Sequence, residues 1–208
     1  MEKQVDKGHY NFWKYCDLDR WSSYWYQIKE IIFLEPKNVL EIGVGEKVLG
    51  SYLLNNTDIK YKSVDIANDL NPDIVADLEK LPLGNDSFDL VCAFEVLEHL
   101  PFEKFLNCLN ELKRVSNSYV ILSLPHWGRH FSVSFRLPFF KKIKIQFKSN
   151  ILSIRHLFNG QHYWEIGKKG YDLSKIKNEI KKSDMEIIKD YTCFESPYHH
   201  FFVLKKYV

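Results

Sequence analysis

Short apolar runs alternate with stretches of helical pattern along this chain. Residues 38–43 (Asn-Val-Leu-Glu-Ile-Gly) form a β-rich run closed by glycine, the pattern of a buried strand. Residues 47–55 suit a helix, 61–66 a second strand and 73–76 a third. A fourth strand is predicted over 88–94, then a helix over 102–115 starting just after Pro101, a good first-turn residue. A fifth strand over 118–124 is stopped by Pro125. Strands alternating with helices predict βαβ units and a parallel sheet covered on both faces. Near the end, Asp172 can cap a helix running to about residue 183. Two strands, 185–194 and 199–207, then flank Glu195-Ser-Pro-Tyr198, and so short a connection makes them an antiparallel hairpin.

The chain has 208 residues, so one domain over 1–208 is expected, large enough for a real core. Aromatics at 15% exclude disorder as the dominant state. No apolar run approaches the roughly 18 residues of a membrane span. The start, Met1 to Lys7, mixes charges and leads to no apolar block, unlike a secretory signal. Cys16, Cys92, Cys108 and Cys193 are widely separated and form no CxxC pair. Free buried thiols in a reducing cytoplasm are therefore expected, rather than disulfides or zinc. His126 and His130 stand four apart but no third ligand is evident, so no metal is expected.

Residues 1–36 precede the sheet and are rich in aromatics (Tyr10, Trp13, Tyr15, Trp21, Tyr24, Trp25 among them). They are read as a mostly helical cover over a sheet face or a site mouth. The net charge of +2 is unevenly spread: residues 125–170 hold nine Lys or Arg and one acid, Glu165, a balance of +8 that leaves −6 elsewhere. An acidic body thus carries a basic, aromatic-rich segment.

In open parallel sheets, ligands bind at the carboxyl ends of the strands where strand order reverses. Strand one delivers Glu41-Ile-Gly43-Val-Gly45, whose glycines permit a tight turn and close backbone approach. Strand two ends in Asp65, a carboxylate able to accept from both hydroxyls of a ribose. Strand three ends in Asp77-Leu78, where a second acceptor could meet an exocyclic amine such as that of adenine. Strand four ends in Phe94-Glu95-Val-Leu-Glu98-His99. A nicotinamide fingerprint, G-x-G-x-x-G, fits Gly43, Gly45 and the distance to Asp65 but fails at Val48, and it gives Glu41 and Asp77 no role.

Val39-Leu-Glu-Ile-Gly-Val-Gly45 resembles motif I of the class I S-adenosylmethionine (SAM)-dependent methyltransferases. Val64-Asp65-Ile66 resembles their acidic second motif. The run from Asp77-Leu78-Glu79 through Asp86-Ser-Phe-Asp-Leu-Val91 to Val96-Leu-Glu-His-Leu100 resembles the methyltransferase type 11 pattern of small-molecule enzymes. The resemblance spans about 38–125 and implies a Rossmann-like, three-layer αβα fold, with a seven-stranded, mostly parallel sheet and the C-terminal hairpin as its antiparallel part. It implies SAM as cofactor and S-adenosylhomocysteine as product. Glu41, Gly43 and Gly45 would surround the methionine moiety, Asp65 with Ile66 the ribose, Asp77 and Leu78 the adenine, and Phe94 the sulfonium. One departure is Lys47, where the family often has a third glycine; a lysine there could narrow the methionine end or point to solvent.

SAM is an activated electrophile, so alignment and water exclusion are the main demands on the protein, and a base is needed only if the acceptor must lose a proton. The candidate catalytic residues are His99, beyond strand four, and His126, beyond strand five; shaping of their loops is the alternative role. The 126–165 segment sits where such enzymes place a substrate-binding insertion. Within it, Lys142-Ile-Lys-Ile-Gln-Phe-Lys148 alternates strictly, as a lysine-protected edge strand or as a surface for an anionic acceptor. Asn159-Gly-Gln-His162-Tyr-Trp-Glu165 suits either an acceptor-site lip or an anchor for the loop. A small, anionic acceptor is expected, with RNA as the nucleic-acid alternative and a non-catalytic SAM-binding domain as another.

Overall fold

The computed structural model describes residues 7–136, 138–139, 142–149 and 153–207. Its elements begin with α1 (Phe12–Tyr15), α2 (Leu18–Phe33), β1 (Asn38–Ile42), α3 (Val48–Asn56), β2 (Lys60–Asp65) and β3 (Ile74–Val75). They continue with β4 (Phe88–Phe94), α4 (Phe105–Val115), β5 (Ser116–Pro125), β6 (Arg129–Phe135) and β7 (Ile143–Ser149). The chain closes with α5 (Leu173–Lys182), β8 (Met185–Thr192) and β9 (His199–Lys206).

Seven strands form one sheet in the order β3-β2-β1-β4-β5-β9-β8. The five strands from β3 to β5 are parallel; β9 runs antiparallel to both β5 and β8, so the C-terminal hairpin is the antiparallel part of the sheet. β1 lies between β2 and β4 with Val39 and Leu40 wholly buried, as expected of a parallel strand covered on both faces. Strand order reverses between β1 and β4, so a crevice opens at their carboxyl ends.

Helix α4 buries Phe105, Cys108, Leu109, Leu112 and Val115, a spacing that makes one apolar stripe, and shares its core with Ile176 and Ile180 of α5. The opposite face is covered by α2 and α3 through Ile31, Leu49 and Leu53. Asp172 caps α5 by accepting from the Lys175 backbone N–H, as the sequence predicts. The helix expected from residue 102 begins as a single 3-10 turn, Phe102–Lys104, before α4. No helix among the described residues is long and apolar enough to cross a membrane.

Two elements are built inside out. The lysine-alternating segment is not an edge of the main sheet: β7 pairs only with β6, a strand the sequence pattern did not reveal, as a separate antiparallel hairpin. Its polar face meets the body. Lys144 pairs with Glu195, Gln146 reaches the Cys193 carbonyl, and the Lys148 ammonium donates to the His126 and Pro197 carbonyls at 2.5 and 2.6 Å. Phe131, Val133, Phe135, Ile143, Ile145 and Phe147 face solvent. Helix α2 repeats the inversion in part, Ile31 apart. It buries Ser23, Gln27 and Glu30, the last accepting from Lys189 and Tyr191, while Leu18, Trp21, Trp25 and Phe33 stay exposed.

Candidate active site

The bend after β1 is built by glycine. Gly43 (φ 81°) and Gly45 (φ 45°) both lie in the left-handed region, and a side chain on Gly43 would stand 2.5 Å from Val96. Asp65, at the end of β2, holds this bend: one carboxylate oxygen accepts from the Val44 N–H at 2.9 Å and the other from the Ala67 N–H at 2.8 Å. Each oxygen keeps a lone pair for a ligand hydroxyl. Ile42, Ile66, Leu70, Ala76, Leu78 and Phe94 supply apolar walls to the cavity above.

The segment ahead of the sheet roofs that cavity. The Tyr10 ring is 3.7 Å from where a Gly45 side chain would begin. Arg20 reaches in from α2, its guanidinium 4.4 Å over the Tyr15 ring. Its neighbours one turn away, Cys16 and Tyr24, both donate to Glu46 beside the glycine bend, at 2.9 and 2.5 Å, so α2 is pinned to the loop. Among the described residues, Arg20 is the only Lys or Arg lining the cavity.

The far end of the cavity is acidic and imidazole-rich. Glu95 sits at φ 55°, a strained conformation for a non-glycine, and accepts from Ser123 Oγ at 2.9 Å. Burial pushes its carboxyl up to about 7, partly offset by Arg20 and Ser123. Glu98 is fully buried, and neither carboxylate oxygen has a hydrogen-bond partner among the described residues. Burial, then the charges of Glu95 and Glu165, raise its pKa well above the carboxylate range. His99 Nδ1 lies 3.1 Å from the Gln161 carbonyl, so Nδ1 carries the proton. Burial, with His162 beside it, lowers His99 to about 4 and keeps it neutral at pH 7. His162 packs edge-to-face on His99 and directs Nδ1 to Glu165 Oε1 at 3.2 Å; Glu165 also accepts from the Tyr198 hydroxyl.

Seven of the ten residues singled out from the sequence line this one cavity: Gly43, Gly45, Asp65, Ile66, Leu78, Phe94 and His99. Three do not. Glu41 turns to the Tyr61 hydroxyl, and burial raises its carboxyl to about 8. Asp77 accepts from the Glu79 N–H at 2.9 Å as a local turn. His126 is buried with Nδ1 2.9 Å from Nδ1 of His200, whose Nε2 faces Asp190, so His126 donates and His200 accepts. Lys47 adopts φ 62° in place of a glycine and sends Nζ 2.6 Å to the Asn71 carbonyl, outside the cavity. The 159–165 stretch serves both expected roles. Trp164 is wholly buried and donates to the Leu100 carbonyl, whereas Gln161 and His162 line the cavity. Arg20 escaped the sequence reading, whereas Glu95 and His162 stood in it only as members of their stretches, with no role of their own.

The family model for the methyltransferase domain matches residues 40–122. Residues 40–122, from β1 to β5, are thus similar to a methyltransferase domain. No curated protein matches it by sequence. Solved structures similar to it include 1,6-didemethyltoxoflavin-N1-methyltransferase of Burkholderia thailandensis, with its substrate and S-adenosylhomocysteine bound, at TM-score 0.61 and 10% identity over 90% of this chain and 80% of that one. Magnesium protoporphyrin IX methyltransferase of Synechocystis with bound SAM gives TM-score 0.62 and 12% identity over 91% and 81%. A SAM-dependent methyltransferase of Clostridium acetobutylicum gives 0.59 and 11%, with 92% of each chain covered. At these identities the likeness concerns the methyltransferase fold.

Proposed function

We propose that this chain, as one domain over 1–208, transfers a methyl group from SAM to a small molecule bound beneath the 153–166 segment. The observation that carries this reading is the single cavity that joins the Gly43–Gly45 bend and Asp65 to Glu95, His99 and His162. SAM supplies a methyl group on a sulfonium, already activated toward attack. Asp65 is placed to receive ribose hydroxyls, Leu78 and Phe94 to flank the adenine, and Arg20 to pair with the methionine carboxylate beside the glycine bend. His99, neutral with its proton on Nδ1, is positioned to orient an acceptor, and Glu95 to take its proton. The roof of aromatic rings keeps bulk water away from the reacting end.

Within the basic segment, Lys144 and Lys148 are spent on Glu195 and main-chain carbonyls beneath the hairpin and are not available to RNA. An anionic acceptor needs a positive charge at the Glu95–His162 end, where the described residues supply none beyond Arg20. The cytoplasm is the compartment that four free cysteines suit. Calorimetry with SAM, and separately with NADH, tests the cofactor. SAM binding to wild type and a loss of about 30-fold or more in Asp65→Ala is the expected outcome. Normal SAM binding by that variant overturns the ribose assignment, and binding without turnover on any small acceptor favours a regulatory domain.

A further inference from the structure

We propose that Glu98, His99 and His162 form a site for a divalent transition-metal ion at the acceptor end of the cavity. One donor atom from each of the three lies within 4.8 Å of the others, close enough for one ion to bridge them. Two further observations point the same way. Glu98 is a fully buried carboxylate whose oxygens have no hydrogen-bond partner among the described residues, an arrangement that is expensive unless a cation compensates it. Both imidazoles, moreover, are oriented through Nδ1 by an oxygen acceptor: Gln161 carbonyl for His99 and Glu165 carboxylate for His162. Metal-ligating histidines are held in this way, with the second nitrogen turned to the ion. Two imidazoles and a carboxylate leave coordination positions open, and His99 and His162 line the cavity, so an acceptor oxygen can complete the shell. The ion supplies the positive charge that an anionic or hydroxylic acceptor requires there. This role rests on the methyltransferase reading; the site itself does not.

The test is titration of metal-free protein with Co2+ alone, followed by visible absorption, with Zn2+ competition and SAM calorimetry on the same samples. One ion per chain is expected, with loss of at least about 100-fold in affinity in His162→Ala and in Glu98→Gln. His162→Ala should still bind SAM. Absence of Co2+ and Zn2+ binding at 1:1, or unchanged affinity in a folded His162→Ala, overturns the site. Failure of SAM binding with metal binding intact overturns the methyltransferase reading instead.

A different observation carries a second inference: the geometry points to the β6–β7 hairpin and α2 as a docking face for an anionic lipid surface. The hairpin turns polar residues inward and apolar ones outward, and α2 does so in part, burying Ser23, Gln27 and Glu30 beside Ile31 while Trp21 and Trp25 stay exposed. Glu195, accepting from Tyr26 of α2 at 2.7 Å and Lys144 of β7 at 2.5 Å, shows them side by side. The hairpin face is unbroken Phe, Val and Ile, with Phe139 fully exposed at its turn. Arg129, Arg136 and Lys142 border it, and no acid occurs between residues 126 and 164. Exposed tryptophans on α2 add the ring type that settles at bilayer interfaces. On the hairpin, an apolar strip bordered by these cations matches anionic headgroups over acyl chains, while Asp17 and Asp19 lie at the far end of α2.

Sedimentation with vesicles of phosphatidylglycerol–phosphatidylcholine, and of phosphatidylcholine alone, tests it. Binding to the anionic vesicles that weakens with salt, and falls at least about 10-fold in Phe131→Ser/Phe147→Ser, is expected. Light scattering supplies the alternative occupant. A stable dimer that the same double variant dissociates, or a monomer that ignores both vesicles, overturns the proposal.

Discussion

The Tyr61 phenol donates to the Glu41 carboxylate, and this one bond turns the acid of the first strand away from the cavity its neighbours line. The bond is possible because Gly50 of α3 leaves room; a side chain there would meet the Tyr61 ring at 2.6 Å. Burial raises Glu41 to about 8 against an ordinary value of 4.5. A folded-state pKa above the unfolded one means stability that is complete below about 4.5 and declines as pH rises through 8. In Glu41→Gln that decline disappears. Urea titrations should find the variant more stable than wild type by about 1–3 kcal/mol at pH 8.5 and level with it at pH 4.5. SAM affinity should change by no more than about threefold.

Arg20 approaches the glycine bend from α2, and among the described residues it is the one Lys or Arg lining the cavity. Arg20→Leu should weaken SAM binding by about 10–100-fold, the worth of a charge-assisted pair. Thermal stability should change little, because the Asp17 cap and the Cys16 and Tyr24 contacts of α2 remain. Calorimetry beside a melting curve separates the two effects.

His126 donates to His200 deep beneath the hairpin, and burial holds the two rings near 3 and 4. Their folded pKa values lie below 6.5, so their contribution to stability is present above 6.5 and lost as pH falls toward 4. Asn at 126 keeps a donor and removes a titrating group. Between pH 6.5 and 4.5, wild type should lose about 1–2 kcal/mol more than His126→Asn, read from denaturant midpoints. Methyl transfer should not require this ring.

Lys47 holds a left-handed conformation that costs a side-chain-bearing residue about 1 kcal/mol, and its bond to Asn71 returns a similar amount. Lys47→Gly should therefore leave stability within about 1 kcal/mol of wild type and SAM affinity within about twofold. A large gain in affinity would mean that the side chain obstructs the methionine end.

The sheet was readable because each strand is a self-contained apolar run whose burial depends on few distant details. The residues Gly43, Gly45 and Asp65 were readable for a related reason: strand ends in an open parallel sheet share one crevice. The direction of a side chain was not. Glu41 answers to Tyr61, twenty residues away, and Asp77 to the amide of Glu79, neither of which spacing along the chain reveals. Arg20 lay unnoticed in a stretch defined by its aromatics, although a lone arginine on the polar side of an amphipathic helix was the available signal. The alternation of β7 was visible, but which face turns inward is decided by Glu195 and two loop carbonyls.

The Tyr10 ring lies over the bend at Gly45, while α2 is fastened to the adjoining Glu46. An occupant of that end of the hollow would therefore be bracketed, the glycine bend on one side and the chain's opening stretch on the other.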